Sequence, residues 1–145
     1  MKKTLRHLVL ILGDQLDEAS SALSDFDPQQ DALWMAEVAE ESKHVISSKQ
    51  RTTVFLSAMR HFAAHMRDQG RRVFYSELDA QDNTGTLAGE LKKAIQLHHP
   101  EKLVMTAPGE WRVLQSLRTV ARDKHLTLEI RDDTHFFSTV RDFAA

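Results

Sequence analysis

Two short polar segments stand where buried strands would release the chain. Gly13-Asp14-Gln15 follows directly on an apolar run at residues 7–12, and Glu37, Glu40 and Glu41 end or follow a second run at residues 32–38. Ionised carboxylates only accept hydrogen bonds, whereas the Gln15 amide both donates and accepts. Gathered around an apolar hollow, such groups suit an uncharged heterocycle or a polyol chain. Residues 107–112, after a further apolar run, are the third segment expected at the same place. Two plainer readings stay open: Asp14 and Gln15 cap the next helix, and the acidic run is a solvated turn. Paired carboxylates also serve as general acid and base, but no partner nucleophile is evident. Ser57 lacks a nucleophile-elbow sequence, and no hydrolase triad is visible.

Other chemistries find less support. There is no Gly-x-Gly-x-x-Gly and no Walker A sequence, and Gly13 stands alone, which argues against a pyrophosphate cradle. Gly85 and Gly89 lie at a helix start without a preceding buried strand and are read as capping and packing residues. His61 and His65 have the i, i+4 spacing of two metal ligands on a helix. Phe-Ala-Ala lies between them, without the glutamate of zinc proteases, so they are read as surface or interface histidines. His98-His99 is expected to complete the last turn of a helix electrostatically. Trp34, inside a strand, is expected in the core. Trp111, at a helix start after Pro108-Gly109-Glu110, is expected to face a cleft or another domain.

These residues need a frame. Short apolar runs without alternation at residues 7–12, 32–38, 72–76, 102–106 and 126–130 fit strands buried on both faces. Between them lie helical segments. The longest covers residues 49–69, with Ser47 or Ser48 as N-cap and Gly70 as its stop. Phe55, Ala58, Phe62 and Met66 are its expected sheet-facing stripe. Another helix covers residues 86–98 and ends before Pro100. A third starts near Gly109 and carries Val113, Leu117 and Val120, and a weaker one is placed at residues 17–23. Strands alternating with helices imply an α/β fold: a Rossmann-like, doubly wound, five-stranded parallel sheet with helices on both faces. In such sheets ligands sit beyond the carboxyl ends of the strands.

Composition agrees with one soluble domain. The 145 residues are 41% hydrophobic and 28% charged, enough for a core without staples, and the lack of cysteine excludes a thiolate metal or iron–sulfur site within them. A formal net charge of −2 gives no surplus for gripping DNA phosphates, so any nucleic-acid binding by a longer protein is expected mostly elsewhere. No run is long enough for a secretory leader or a membrane span, and a cytoplasmic protein is expected.

Four strings now appear in order: Leu10-Ile-Leu-Gly-Asp-Gln-Leu16, Glu37-Val-Ala-Glu-Glu41, Lys49 with Phe55-Leu-Ser-Ala-Met-Arg-His-Phe-Ala63, and Pro108-Gly-Glu-Trp-Arg112. As a set they resemble the amino-terminal domain of bacterial photolyase-related proteins, the branch with iron–sulfur cryptochromes and photolyases and prokaryotic (6-4) photolyases. The resemblance runs over about residues 7–143. It implies the same fold and an antenna role, in which 6,7-dimethyl-8-ribityllumazine harvests light for a flavin in the next domain. By position it implies that Gly13, Asp14 and Gln15 line the pocket, that Glu37 and Glu41 bond the ring or ribityl chain, and that Ala36 and Lys49 lie beside it.

The resemblance further implies a helical domain, outside these residues, carrying FAD and an iron–sulfur cluster. Residues 1–133 are then the antenna-type domain and residues 134–145 the start of the connection to the helical one. This chain alone is expected not to be catalytic. Its partners would be that helical domain and, through the whole protein, DNA, with no membrane involved. Two other functions stay open. One is a docking domain without chromophore, with Phe136, Phe137 and Phe143 marking the contact surface. The other is a free-standing nucleotide- or phosphate-binding module.

Overall fold

The structure, a computed structural model, describes residues 5–39 and 49–132. Their elements run in the order β1 (His7–Leu10), a 3-10 turn (Ser21–Leu23), β2 (Ala32–Ala36), α1 (Lys49–Asp68), β3 (Val73–Ser76), α2 (Leu87–His98), β4 (Lys102–Thr106), α3 (Trp111–Asp123) and β5 (Thr127–Arg131). The strands form one sheet in the order β3-β2-β1-β4-β5, every pair parallel. This is the Rossmann-like α/β architecture that the alternation of apolar runs and helical segments predicts.

Parallel strands explain the unbroken apolar runs, because both faces of the sheet are covered. Leu8, Leu10, Trp34, Leu103 and Met105 pack on one face with Leu87 and Leu91 of α2 and Leu114 and Leu117 of α3. The residues between them, Val9, Leu33, Met35 and Val104, pack on the other with Met59, Ala63 and Met66 of α1 and with the 3-10 turn. Trp34 is a core residue, as its place inside a strand predicts. The chain winds outward from β1 through β2 to β3, then crosses back to β4 beside β1. The winding direction therefore reverses between β1 and β4, which opens a crevice beyond their carboxyl ends.

Two local expectations are corrected. The segment at residues 17–23 is no α-helix but the three-residue turn. Asp17 Oδ1 accepts from the Ala19 N–H and Ser20 Oγ from the Ala22 N–H, and these local bonds compete with a helical ladder. On α1 the buried stripe is Met59, Ala63 and Met66 flanked by Leu56 and Phe62, whereas Ala58 is exposed. Residues 54–59 are nearly all apolar, so two adjacent stripes satisfy helical spacing. The helix presents to the sheet the stripe with the flexible Met59, which can fill the space over β1 and β2.

The ends of α1 and α2 are set by local chemistry. Gly70, at φ 84°, takes the left-handed conformation that stops α1, and Arg71 N–H and Gly70 N–H return to the carbonyls of Met66 and Arg67. Thr86 caps α2 by accepting from the Gly89 N–H, which bears out a capping role for this glycine-containing segment. The Ser47 or Ser48 cap lies outside the described residues.

Candidate functional site at the carboxyl ends of the strands

Gln15 leaves β1 and reaches across the reversal point. Its Nε2 donates to the backbone carbonyls of Thr106 and Ala107, at 3.1 and 3.3 Å, where β4 ends. The loop is fastened there again by Ser20 Oγ, 2.7 Å from Thr106 Oγ1. Gln15 thus bridges β1 and β4 and caps no helix. Its Oε1 is buried and has no hydrogen-bond partner among the described residues. A buried carbonyl without a donor costs about 1–3 kcal/mol, so this atom marks a place where a donor from a ligand would be welcome. The neighbouring Asp14 is exposed.

Gly13 lies against the Phe55 and Met59 side chains of α1. A Cβ built there would lie 2.2 Å from Cζ of Phe55 and 3.1 Å from Sδ of Met59. The ring of Phe55 occupies the space that any larger residue would need, and it remains 37% exposed. A larger residue here would have to displace the Phe55 ring.

At the end of β2, Glu37 is buried. Arg60 of α1 grips it at two points, Nε to Oε2 at 2.7 Å and Nη2 to Oε1 at 2.8 Å. The Leu78 N–H donates to Oε1 at 2.9 Å, and the hydroxyl of Tyr75, on β3, donates to Oε2. A carboxylate offers about four acceptor positions, so these partners use them all. Burial favours the neutral acid, but the bonds from Arg60, Tyr75 and Leu78 outweigh it and hold Glu37 below the usual carboxylate range. Burial and then the bond to Glu37 raise the Tyr75 phenol, keeping it a donor. The cluster ties β2, β3 and α1 together as one rigid unit with no net charge.

The remaining candidates separate. Ala36 ends β2 with its methyl group in the core on the α2 side. Lys49 opens α1, Glu40 and Glu41 lie outside the described residues, and so do Phe136, Phe137 and Phe143. Gly13, Gln15 and Glu37 are therefore brought to the carboxyl edge. The Glu37 carboxylate there faces protein partners on every side.

Arg60 and Tyr75 were missed by the sequence reading, although Arg60 sits inside one of the four strings. A signal existed: Arg60 flanks the apolar stripe of the helix that follows β2, and a carboxylate at a buried strand end needs such a cation. Arg60 also lines a groove of about 480 Å3 along α1, with Thr53, Leu56, Ser57 and His61.

The surface reading of His61 and His65 is borne out: both are exposed on α1, and His65 Nε2 lies 3.0 Å from Glu18 Oε2. His98 is a correction: it stacks flat on Phe74, ring centres 3.6 Å apart, and burial followed by the nearby Arg72 lowers its pKa below 6.5. The lowered pKa disfavours the charged form that would serve α2 as a cation. Trp111 is 68% exposed at the start of α3, with the Arg118 guanidinium over its ring. No helix of the described residues is long and apolar enough to cross a membrane.

Comparison with known proteins adds an independent finding. The profile of the deoxyribodipyrimidine photo-lyase-related protein family matches residues 9–145. The chain is also similar to a (6-4) photolyase of Agrobacterium fabrum, 40% identical over 139 residues. The match covers 96% of this chain but 27% of that relative.

Proposed function

The chain belongs to the deoxyribodipyrimidine photo-lyase-related protein family, and on that premise we propose that it is a light-harvesting domain holding 6,7-dimethyl-8-ribityllumazine for a flavin bound elsewhere in a longer protein. The observation that carries this reading is the buried Oε1 of Gln15 at the reversal point of the sheet, without a hydrogen-bond partner among the described residues. A polyol hydroxyl or ring N–H can satisfy it, and ligands of open α/β sheets generally sit in such a crevice. The bound lumazine would absorb light and pass excitation to the flavin by resonance, with no bond made or broken.

The protein's task in that process is positional. Gln15 would anchor the ligand, its amide already oriented by the carbonyls of Thr106 and Ala107. Gly13 and Asp14 form the adjoining backbone, and Phe55 supplies an apolar wall over Gly13. Glu37 acts through Arg60 and Tyr75, since its own acceptor positions are used. A direct bond from Glu37 to the ligand would first have to displace one of them. Lys49, Ala36 and Glu41 stay secondary candidates by position.

The test is direct. Purified protein titrated with ribityllumazine should quench or shift the ligand's fluorescence with saturable binding. Gln15→Leu should weaken binding about tenfold, which is about 1.4 kcal/mol. Wild-type protein that leaves the ligand unchanged at every concentration would reject the antenna reading.

The exposure of Trp111 favours a second role beside the first, docking onto the helical FAD-bearing domain of the longer protein. Repair of DNA would belong to that whole assembly. Trp111→Ala should weaken association with a separately produced helical domain while leaving lumazine binding unchanged, and unaltered association would reject this role.

A further inference from the structure

We infer that the outer edge of β3 is a self-association surface, through which two copies of this chain pair antiparallel about a twofold axis and join their five-stranded sheets into one. The surface is the lateral edge of the sheet, and the inference does not depend on the antenna reading.

β3 ends the sheet on its side, and among the described residues β2 is the strand it pairs with. The carbonyls of Arg72 and Ser76 accept from the N–H groups of Leu33 and Glu37, on the β2 side. Backbone groups alternate in direction along a strand, so Val73 and Tyr75 turn theirs outward. The Val73 carbonyl accepts from Arg67 Nη2 at 3.0 Å, and a carbonyl has room for a second donor. A groove of about 710 Å3 is lined by Val73 and Tyr75 from the α1 face of the sheet, by Phe74 from the α2 face, and by Ala94 and Leu97 of α2. A groove walled from both faces lies against the edge itself.

The two edges of the sheet differ. β5 carries Glu129 and Arg131, tied to Lys102 and Asp25, and charges on an edge strand discourage the addition of another strand. β3 reads Val-Phe-Tyr-Ser, with neither charge nor proline. Beside it Leu97 is 68% exposed. An uncharged edge next to exposed apolar surface is a template for pairing.

The charges flanking β3 select the occupant. Arg71 and Arg72 precede the strand, and Glu77 and Asp79 follow it. A second β3 laid parallel would set like charges together, whereas an antiparallel one sets each basic end on an acidic end. Only outward-turned residues can exchange hydrogen bonds, which limits the register. The register with Val73 opposite Glu77 is closed, because the Glu77 carbonyl already accepts from the Ala80 N–H and from Asn83 Nδ2. The next one sets Val73 opposite Tyr75 of the second copy, Phe74 opposite its equivalent and Arg71 opposite Glu77. Such a contact makes every pair twice and closes as a dimer.

The experiment follows this chain by sedimentation velocity and by amide hydrogen exchange as its concentration is raised. A monomer–dimer equilibrium is expected, with exchange at Val73 and Tyr75 slowing as the dimer fills. Glu77→Arg sets like charges together at two places and should weaken the dimer about tenfold. Adding Arg71→Glu should restore it. Because the Arg71 guanidinium also lies over the Phe26 ring, Leu97→Glu serves where that double variant does not fold. It acts from an exposed position of α2 and should weaken the dimer to a similar degree.

A chain that stays monomeric at every concentration would overturn the proposal. Free exchange at Tyr75 would then mean an open edge, and constant protection an edge covered within the chain. A dimer that leaves exchange at Val73 and Tyr75 unchanged, or that withstands both Glu77→Arg and Leu97→Glu, would use another surface and overturn it as well. None of these outcomes bears on lumazine binding, so the antenna reading stands or falls separately.

Discussion

Arg60 of α1 and Glu37 at the end of β2 meet through two hydrogen bonds of 2.7 and 2.8 Å, twenty-three residues apart in sequence. Glu37 is buried and Arg60 half exposed, so the contact is a carboxylate drawn into the protein and held by a cation that still touches water. Removing the carboxylate leaves Arg60, Tyr75 and the Leu78 N–H without their acceptor. Breaking a wholly buried pair costs about 3–5 kcal/mol, and rehydration of Arg60 lowers this. Glu37→Ala should therefore cost about 2 kcal/mol, read as a lower urea midpoint at unchanged slope. Replacing both partners, as in Glu37→Gln/Arg60→Gln, should cost less than Glu37→Ala alone.

Acid should weaken the fold in a defined window. Burial opposes ionisation of Glu37 and Asp31, but Arg60 for the first and Arg6 for the second outweigh it, and both carboxyls are held below their ordinary values of 4.5 and 3.8. Asp31 is further fastened by the N–H groups of Asp27 and His7. A depressed folded-state pKa means stability that is complete above the unfolded value and lost as pH falls through the folded one. The urea midpoint should stay nearly level from about pH 7 to about pH 5 and fall below about pH 4.5. Asp31→Asn should start lower and fall less steeply; an identical slope would show that Asp31 is not one of the titrating groups.

Gly13 and Phe55 should behave as a coupled pair. An added methyl at residue 13 meets the Phe55 ring at 2.2 Å, and overpacking of this kind costs about 1–3 kcal/mol. Gly13→Ala should be destabilising in the wild-type background and nearly neutral in Phe55→Ala protein. The double-mutant cycle then reports a coupling of on the order of 1 kcal/mol or more. Additive effects would mean that the ring leaves Gly13 at no cost.

The register of α1 is open to a simple contrast. Ala58 is exposed and Ala63 buried against the sheet. Ala58→Glu should change stability by no more than about 0.5 kcal/mol, as surface substitutions generally do. Ala63→Glu should prevent folding or lower stability by several-fold more, because it sets an unpaired charge among Val9, Met35 and Met66. Equal effects in chemical denaturation would show the helix turned by one stripe.

Local sequence by itself determined the parallel α/β architecture, because a buried strand must be apolar on both faces and a covering helix on one. It also determined the stop at Gly70, which needs only a left-handed residue, and the arrival of Gly13 and Gln15 at a strand's carboxyl end. Only the tertiary structure decided which of two apolar stripes α1 turns inward, since residues 54–59 satisfy both. It alone revealed that Glu37 is spent on Arg60 and Tyr75 and that Gln15 crosses to β4. Those partners are 23, 38 and 91 residues distant in sequence, and helical or strand periodicity carries no information about contacts between elements. Pairing of polar groups at the ends of strands is set by which strands lie side by side, and that order, β3-β2-β1-β4-β5, exists only once the chain has folded.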